Sequence, residues 1–435
     1  MDQPSAHSPA PATRPPGARR GVVATHLRGP FDPGGQPLVR THRHLHLSLF
    51  AWNVQGGLSA SKAVNSDPDR LRDNWKWPNA AQLLRETDAS GMDSQLQYGM
   101  WSGYGGETHW NDYQLDWATA GTASAAITSR IGLYVTIHVG YEIPPLAIAK
   151  ITASIDHISG GRSGVNIVAG QNAVDYAQFG LVGPPSQEVR YAIADEMTSA
   201  LKYLWTSVEP IDFEGEYFRM YGAQVLPRAT SRPRPLLISA ASSDIGLDYA
   251  TRQCDALFIT SKDNSLDGFA RRAQKIHQMA ADHGRQVRVA AMCYVIMDAT
   301  DAAAQETVEW VRSQSDREAA RTWLRLSGHV WNSESRIVDE TRIGARRSAD
   351  LEEDPYLGVG PERYEALTMG MGGYQLFGSY RSVADRLIDM YESGVEQFAL
   401  CFFDPRKGVQ QMRDHVIPLL QARGYNETLV KDLTR

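Results

Sequence analysis

The chain has 435 residues, of which 42% are hydrophobic and 22% charged, with a formal net charge of −6 and a pI near 6.1. This is the composition of a soluble globular protein, long enough for one large α/β domain with insertions or for two domains. It offers no basic field to nucleic acid and no apolar run of membrane-spanning length, and its widely spaced Cys254, Cys293 and Cys401 suit a reducing cytoplasm.

In chain order, residues 1 to about 40 are rich in Pro, Ala, Gly and Arg without apolar periodicity. They read as a disordered leader or an arm laid on a neighbour; a targeting peptide would want an amphipathic repeat that is missing. His44 to Phe50 alternates polar and apolar residues as a first strand, followed by a loop holding Trp52 and Asn53. Asn79 to Ser90 reads as a helix closed by Gly91, and Ser94 to Tyr98 as a second strand. The next loop, MWSGYGGETHW, carries Trp101, Tyr104 and His109. Tyr113 to Thr128 reads as a helix, Ile131 to Ile137 as a strand, and Leu146 to His157 as a helix. A glycine turn, Ser159 to Arg162, leads into a fourth strand, Val165 to Val168, interrupted by Asn166.

The loop GQNAVDYAQFG holds Asp175 and precedes a long helix, Val189 to Trp205. Phe213 to Gly222 reads as a small β excursion and Leu236 to Ser239 as a strand. Ile245 to Arg252 and Leu266 to His283 read as helices flanking a strand at Ala256 to Thr260. Val287 to Met297 reads as a long strand and Asp301 to about Arg325 as one helix. Residues 326–373 look irregular, an insertion or lid. A helix (Ser382 to Ser393), a strand (Gln397 to Phe402) and a helix (Gly408 to Gly424) close the chain. About eight strand–helix rounds over 41–435 predict a single α/β domain, a (β/α)8 TIM barrel with insertion segments. A doubly wound sheet is second choice, because no G-x-G-x-x-G turn follows an early strand.

A closed barrel gathers the loops after its strands into one mouth. Here they bring Trp52, Asn53, Trp101, Tyr104, His109, His138, Asn166, Asp175, Ser242 and Ser243, an aromatic and amide-rich set without metal-ligand spacing, nucleophile elbow or P-loop lysine. Such a set suits a flat delocalised ligand held by stacking and a few hydrogen bonds. Asn166 is either a ligand contact or an amide bonded to neighbouring backbone. Ser242 and Ser243 sit where a helix N-terminus could hold an anion or simply be capped, with Arg190 and Tyr191 in reach of the same anion. His109 and His138 are candidates for proton transfer, weighed against ordinary packed histidines. Trp52, Asn53, Trp101 and Tyr104 are candidates for substrate contact, weighed against rim packing.

Four stretches carry a family resemblance: IDHISGGRSGVNIVAGQN from Ile155, FEGEYFRM from Phe213, LLISAASSDIGLDYA from Leu236 and GSYRSVADRL from Gly378. Together they resemble the bacterial-luciferase-like flavin monooxygenases, nearest the nitrilotriacetate, alkanesulfonate, dimethylsulfone and pyrimidine branch. The resemblance implies a barrel that takes FMN as FMNH2 from a separate NAD(P)H:flavin reductase. It implies that reduced flavin and O2 form a peroxide, at C4a or N5, that oxygenates a small organic substrate by cleaving a C–S, C–N or C–halogen bond or opening a ring. By position it assigns Gly99, Met100 and Asn166 to the flavin ring, places Thr136 and Asp175 (where the family often has Glu) in the cofactor site without a set role, and gives Arg190, Tyr191, Ser242 and Ser243 to the phosphate. It suggests a homodimer or homotetramer. An F420-dependent hydride-transfer enzyme and a non-catalytic flavin-binding protein share the barrel and stand as alternatives.

Overall fold

A computed structural model describes residues 14, 16, 20–25, 29–39, 42–65, 73–140, 143–170, 172–259, 265–331 and 360–427. Its strands, in chain order, are β1 Val22–Thr25, β2 His46–Phe50, β3 Ser94–Leu96, β4 Gly132–His138, β5 Ser163–Val168, β6 Ile211–Glu214, β7 Arg219–Ala223, β8 Leu236–Ala240, β9 Ala256–Ile259, β10 Arg288–Asp298, β11 Tyr374–Ser379 and β12 Gln397–Phe402. Parallel pairing runs β2-β3-β4-β5-β8-β9-β10-β12, and β12 pairs back to β2, so an eight-stranded barrel closes. The longer barrel strands β4, β10 and β12 are buried on both faces, inside by barrel neighbours and outside by helices, which is why they are rich in apolar residues. None of the helices among the described residues is long and apolar enough to cross a membrane.

Several elements depart from the sequence reading. β11 was not expected, because Gly378 and two polar residues dilute its pattern. It pairs with Cys293–Asp298, taking over from β9 along the same edge of β10. The single helix expected from Asp301 is two, Asp301–Ser313 and Arg317–Trp331. The break is imposed from outside: Ser315 bridges to Ser61, and the Asp316 carboxylate accepts the N–H groups of Thr108 and Ala319. The helix expected from Tyr113 starts at Trp117, where the Asp116 side chain caps it. The helix Pro361–Thr368 lies inside the stretch read as irregular, whose middle, 332–359, falls outside the described residues.

The leader is not wholly without structure. Val22–Thr25 pairs in parallel with β6, which also pairs antiparallel with β7. Backbone pairing of this kind needs no apolar alternation, and Val22 and Val23 stay exposed. Farther on, Asp32 reaches under the barrel and pairs with Arg234, Arg285 and Lys202 beside buried Asp255. Burial depresses Lys202 to about 8, the neighbouring guanidinium of Arg234 adding to the effect.

The family-like motifs turn out to be backbone anchors. Asp156, fully buried, accepts the N–H groups of Ser163, Thr230 and Ser231 and the hydroxyls of Ser163 and Ser231. Arg162 donates to the carbonyls of Ser159, Ile131 and Thr128, satisfying chain ends at the bottom of the barrel. In FEGEYF, the N–H groups of Glu216, Tyr217 and Phe218 all point at the Glu196 carboxylate. A Cβ on Gly215 would lie 2.0 Å from that carboxylate, so only glycine fits.

Candidate active site

A cavity of about 280 Å³ opens at the C-terminal mouth of the barrel. One wall is polar and comes from β3 to β5: Gln97, Thr136, His138 and Asn166, with Asn172 and Asp175 beyond. The opposite wall is apolar: Phe50, Met292, Trp323, Leu326 and Met371. Tyr98, Gly99, Met100 and Tyr104 form the side between them.

The polar wall fixes its own orientation. The Thr136 hydroxyl lies 2.6 Å from the Gln97 carbonyl, which can only accept, so the hydroxyl donates there. Its oxygen then accepts from Asn166 Nδ2 at 3.1 Å. That order leaves Asn166 Oδ1 buried without a partner. The Gln97 side chain, fully buried without a hydrogen-bond partner, lies on the helix side of the sheet beside Gly121 and Val135, and only its carbonyl serves this wall. A buried acceptor such as Asn166 Oδ1 is costly unless a ligand completes it. Gly99 sits so close to β4 that a Cβ would meet Thr136 Cγ2 at 2.6 Å, and its bare backbone faces the cavity.

On the side wall the two phenols converge on a sulfur. Met100 Sδ lies 3.0 Å from Tyr98 Oη and 2.9 Å from Tyr104 Oη, and the phenol oxygens are 3.2 Å apart. Burial raises both phenol pKa values, so both carry their protons. Asp175, expected in a loop, lies in a short helix, Ala173–Gln178, capped by Asn172. Ser102 donates to Asp175 at 2.5 Å and accepts from Asn172 at 2.8 Å, tying that helix to the mouth.

The proposed phosphate residues assemble just outside the cavity, past Ala240 at the end of β8. Ser243 caps the helix Asp244–Gln253, its Oγ accepting from Gly246 N and from Gln187 Nε2. Gly246 has no room for a Cβ, which would lie 2.4 Å from Tyr191 Oη. Arg190 donates to the Pro185 carbonyl, and its buried Nε has no partner. Ser242 is half-buried, and its carbonyl accepts from Arg272.

Three expectations are corrected by position. Trp52 is fully buried in the main core and donates its indole N–H to Gln95 Oε1, and Asn53 binds the backbone of Tyr98 and Leu115. Neither lines the cavity; both buttress the first mouth loop. His109 is also outside, its side chain 60% exposed and its ring turned to Asp112. Its φ of 49° belongs to a tight turn. Trp101 stands on the rim, 42% exposed and edge-on to Phe179, while Tyr104 and His138 line the cavity as read from sequence. Gln97 was not singled out: in S-Q-L-Q, Leu96 faces the barrel interior while both glutamine side chains face the helices, Gln95 toward Trp52 and Gln97 toward Gly121.

A closed β/α barrel with a half-polar, half-apolar cavity at its C-terminal mouth is the architecture of an enzyme for a small organic ligand. Residues 49–397 match the family described as luciferase-like monooxygenase, and the chain belongs to it. It is a monooxygenase of that family. It is 33% identical over 335 residues, 76% of this chain and 85% of the other, to pyrimidine monooxygenase RutA of Escherichia coli O127:H6. The fold is similar to riboflavin lyase RcaE, a structure with modified FMN and riboflavin (TM-score 0.73, 21% identity, 88% and 92% of the chains covered). It is similar again to DmoA of Hyphomicrobium sulfonivorans (TM-score 0.71, 20% identity, 88% and 90% covered).

Proposed function

We propose that the protein is an FMN-dependent monooxygenase that receives reduced flavin from a separate NAD(P)H:flavin reductase and oxygenates a small planar nitrogen heterocycle. The observation that carries this reading is a buried, partnerless acceptor on the polar wall of the cavity, Asn166 Oδ1. It offers an acceptor to the edge of a flat ring that presents an N–H group, which FMN does. The similarity to a pyrimidine monooxygenase supports a heterocyclic substrate.

In this reading Asn166 accepts a ring N–H, Thr136 holds the Asn166 carboxamide in place, and the Gln97 carbonyl fixes Thr136. Gly99 gives a ring face close access to backbone. Arg190 Nε and the first turn after Ser243 hold the phosphate, where free N–H groups and the helix dipole favour an anion. Reduced FMN supplies the electrons that activate O2 for insertion of one oxygen atom into the substrate. The apolar wall of Phe50, Met292, Trp323, Leu326 and Met371 excludes water from that step. His138 is the residue we assign to moving a proton, since it lines the same cavity and is 7% exposed.

The test is turnover under isotopically labelled O2, with FMN, a generic flavin reductase and a panel of pyrimidines and other cyclic amides, read by product mass spectrometry. One labelled oxygen per product is expected. Substrate consumption without label, or consumption only with the deazaflavin F420, would overturn the proposal.

A further inference from the structure

Three methionines line the cavity: Met100, Met292 and Met371. In a space where an oxygen atom is transferred, each thioether is a competing substrate, because sulfides take oxygen readily to give sulfoxides. A sulfoxide there would replace an apolar, flexible contact by a polar one and spoil the water-excluding wall. The three sulfurs differ in one respect. Met100 Sδ accepts from Tyr98 Oη at 3.0 Å and Tyr104 Oη at 2.9 Å, whereas no hydrogen bond reaches the sulfur of Met292 or Met371 among the described residues.

We propose that Tyr98 and Tyr104 guard Met100 against oxidation by occupying its sulfur lone pairs, and that half-buried Met292 is the cavity sulfur oxidised first. This rests on the oxygenase reading for its biological purpose, but the chemistry of the guard does not. Attack on a peroxide uses a sulfur lone pair: the O–O bond breaks, one oxygen bonds to sulfur, and the other leaves as water. Sulfur is oxidised by two electrons and the peroxide reduced by two. The phenol oxygens are also 3.2 Å apart, so one or both of the two protons reach the sulfur, and each that does withdraws a lone pair from that attack. Each ring is also packed, Tyr104 4.9 Å from Trp110 and Tyr98 6.0 Å from Phe50, so the two oxygens stay beside the sulfur. Met371 is 7% exposed with φ of 51°, held in a strained turn that limits access.

The experiment treats the whole protein with dilute hydrogen peroxide and follows sulfoxide formation peptide by peptide by mass spectrometry. Met100 is expected to oxidise more slowly than Met292 by on the order of tenfold, as breaking its hydrogen bonds adds to the barrier. The double variant Tyr98→Phe/Tyr104→Phe keeps both rings and removes both hydroxyls; in it the Met100 rate should rise to about that of Met292. Circular dichroism and thermal unfolding establish that the variant is folded, and the single variants, each retaining one donor, should fall between. If Met100 oxidises as fast as Met292 in the native protein, or at an unchanged rate in the folded double variant, the proposal is wrong. Labelled-O2 turnover is a separate readout: absence of label in product with the peroxide pattern intact would sink the oxygenase reading and leave the guard standing.

Discussion

Asn166→Leu separates a ligand-binding amide from a structural one by moving two observables in opposite directions. Leucine has nearly the shape of asparagine and no polar atoms. The native side chain makes one hydrogen bond, Nδ2 to Thr136, and buries Oδ1 without a partner. Losing the bond costs about 1 kcal/mol, while removing an unsatisfied buried acceptor returns about 1–3 kcal/mol. Thr136 keeps its own bond to the Gln97 carbonyl, so nothing else is stranded. The flavin-free variant should therefore unfold at the same temperature as the native protein or higher. Reduced or oxidised FMN, in contrast, would leave a ring N–H facing leucine, costing roughly 1–3 kcal/mol, or about 5- to 150-fold in Kd. Thermal unfolding without FMN and quenching of flavin fluorescence on titration measure the two quantities. A Kd within about twofold of native would remove Asn166 from the flavin site. A large fall in stability at unchanged Kd would make it a structural amide.

Asp156→Ala strands buried N–H groups of Ser163, Thr230 and Ser231 and should cost roughly 3–5 kcal/mol in denaturant unfolding, with the Kd for FMN unchanged at low temperature. Asp32→Asn leaves Arg234, Arg285 and Lys202 under-neutralised at the barrel floor, and about 3 kcal/mol of destabilisation is expected although the residue lies in the arm. For pH, burial and then the Arg288 charge push His46 down to about 3, so it stays neutral in the fold while the unfolded chain protonates near 6.5. Stability present above pH 6.5 is thus lost as pH falls toward 3, by about 1.4 kcal/mol per unit; His46→Gln should flatten that slope in urea titrations. Burial works to raise the Asp255 pKa, yet pairing with Arg234 and Arg285 holds it at about 2, so its loss begins only below the ordinary 3.8. His109→Ala should leave kcat/KM within about twofold, because its ring faces Asp112 outside the cavity, whereas His138→Ala should lower kcat.

Most of the barrel was legible because its strands are apolar runs spaced by amphipathic helices, a signal local to each segment. The errors fall where a distant partner decides. Nothing local in Asp301 to Arg325 announces that Ser315 must reach Ser61, so one helix became two. β11 exists because the upper half of β10 has an open edge after β9 ends. The arm strand Val22–Thr25 is called up by β6 across the chain. Tyr104 and His138 line the cavity because loops after strands meet at the mouth. Trp52 and Asn53 were misplaced because a large aromatic beside an amide looks the same whether it faces ligand or buttresses a loop. Only the partners, Gln95 for Trp52 and the Tyr98 backbone for Asn53, tell the two apart.

The distribution of anchors also explains why family and substrate are unequally readable. The motifs that mark this family are carboxylates and a guanidinium holding backbone at turns: Asp156 on the 230–231 loop, Glu196 on the hairpin at Gly215, Arg162 on the carbonyls of Thr128 and Ile131. Each satisfies several backbone groups at once, so a substitution strands them all and is penalised whatever the enzyme acts on. The cavity is built differently. Its polar wall binds chiefly to itself, and its apolar wall of Phe50, Met292, Trp323, Leu326 and Met371 requires only volume. Changing one of those residues reshapes the substrate space without unfolding the barrel. Substrate choice should therefore move with single exchanges at Trp323 or Leu326, on the helix that follows the break at Asp316, while FMN binding, which we assign to the Thr136 and Asn166 wall, stays put. Trp323→Phe, assayed across the heterocycle panel, should shift the ratio of kcat/KM values between small and large substrates at unchanged Kd for FMN. If FMN affinity falls in step with every substrate, the two walls are one site and this division of labour is wrong.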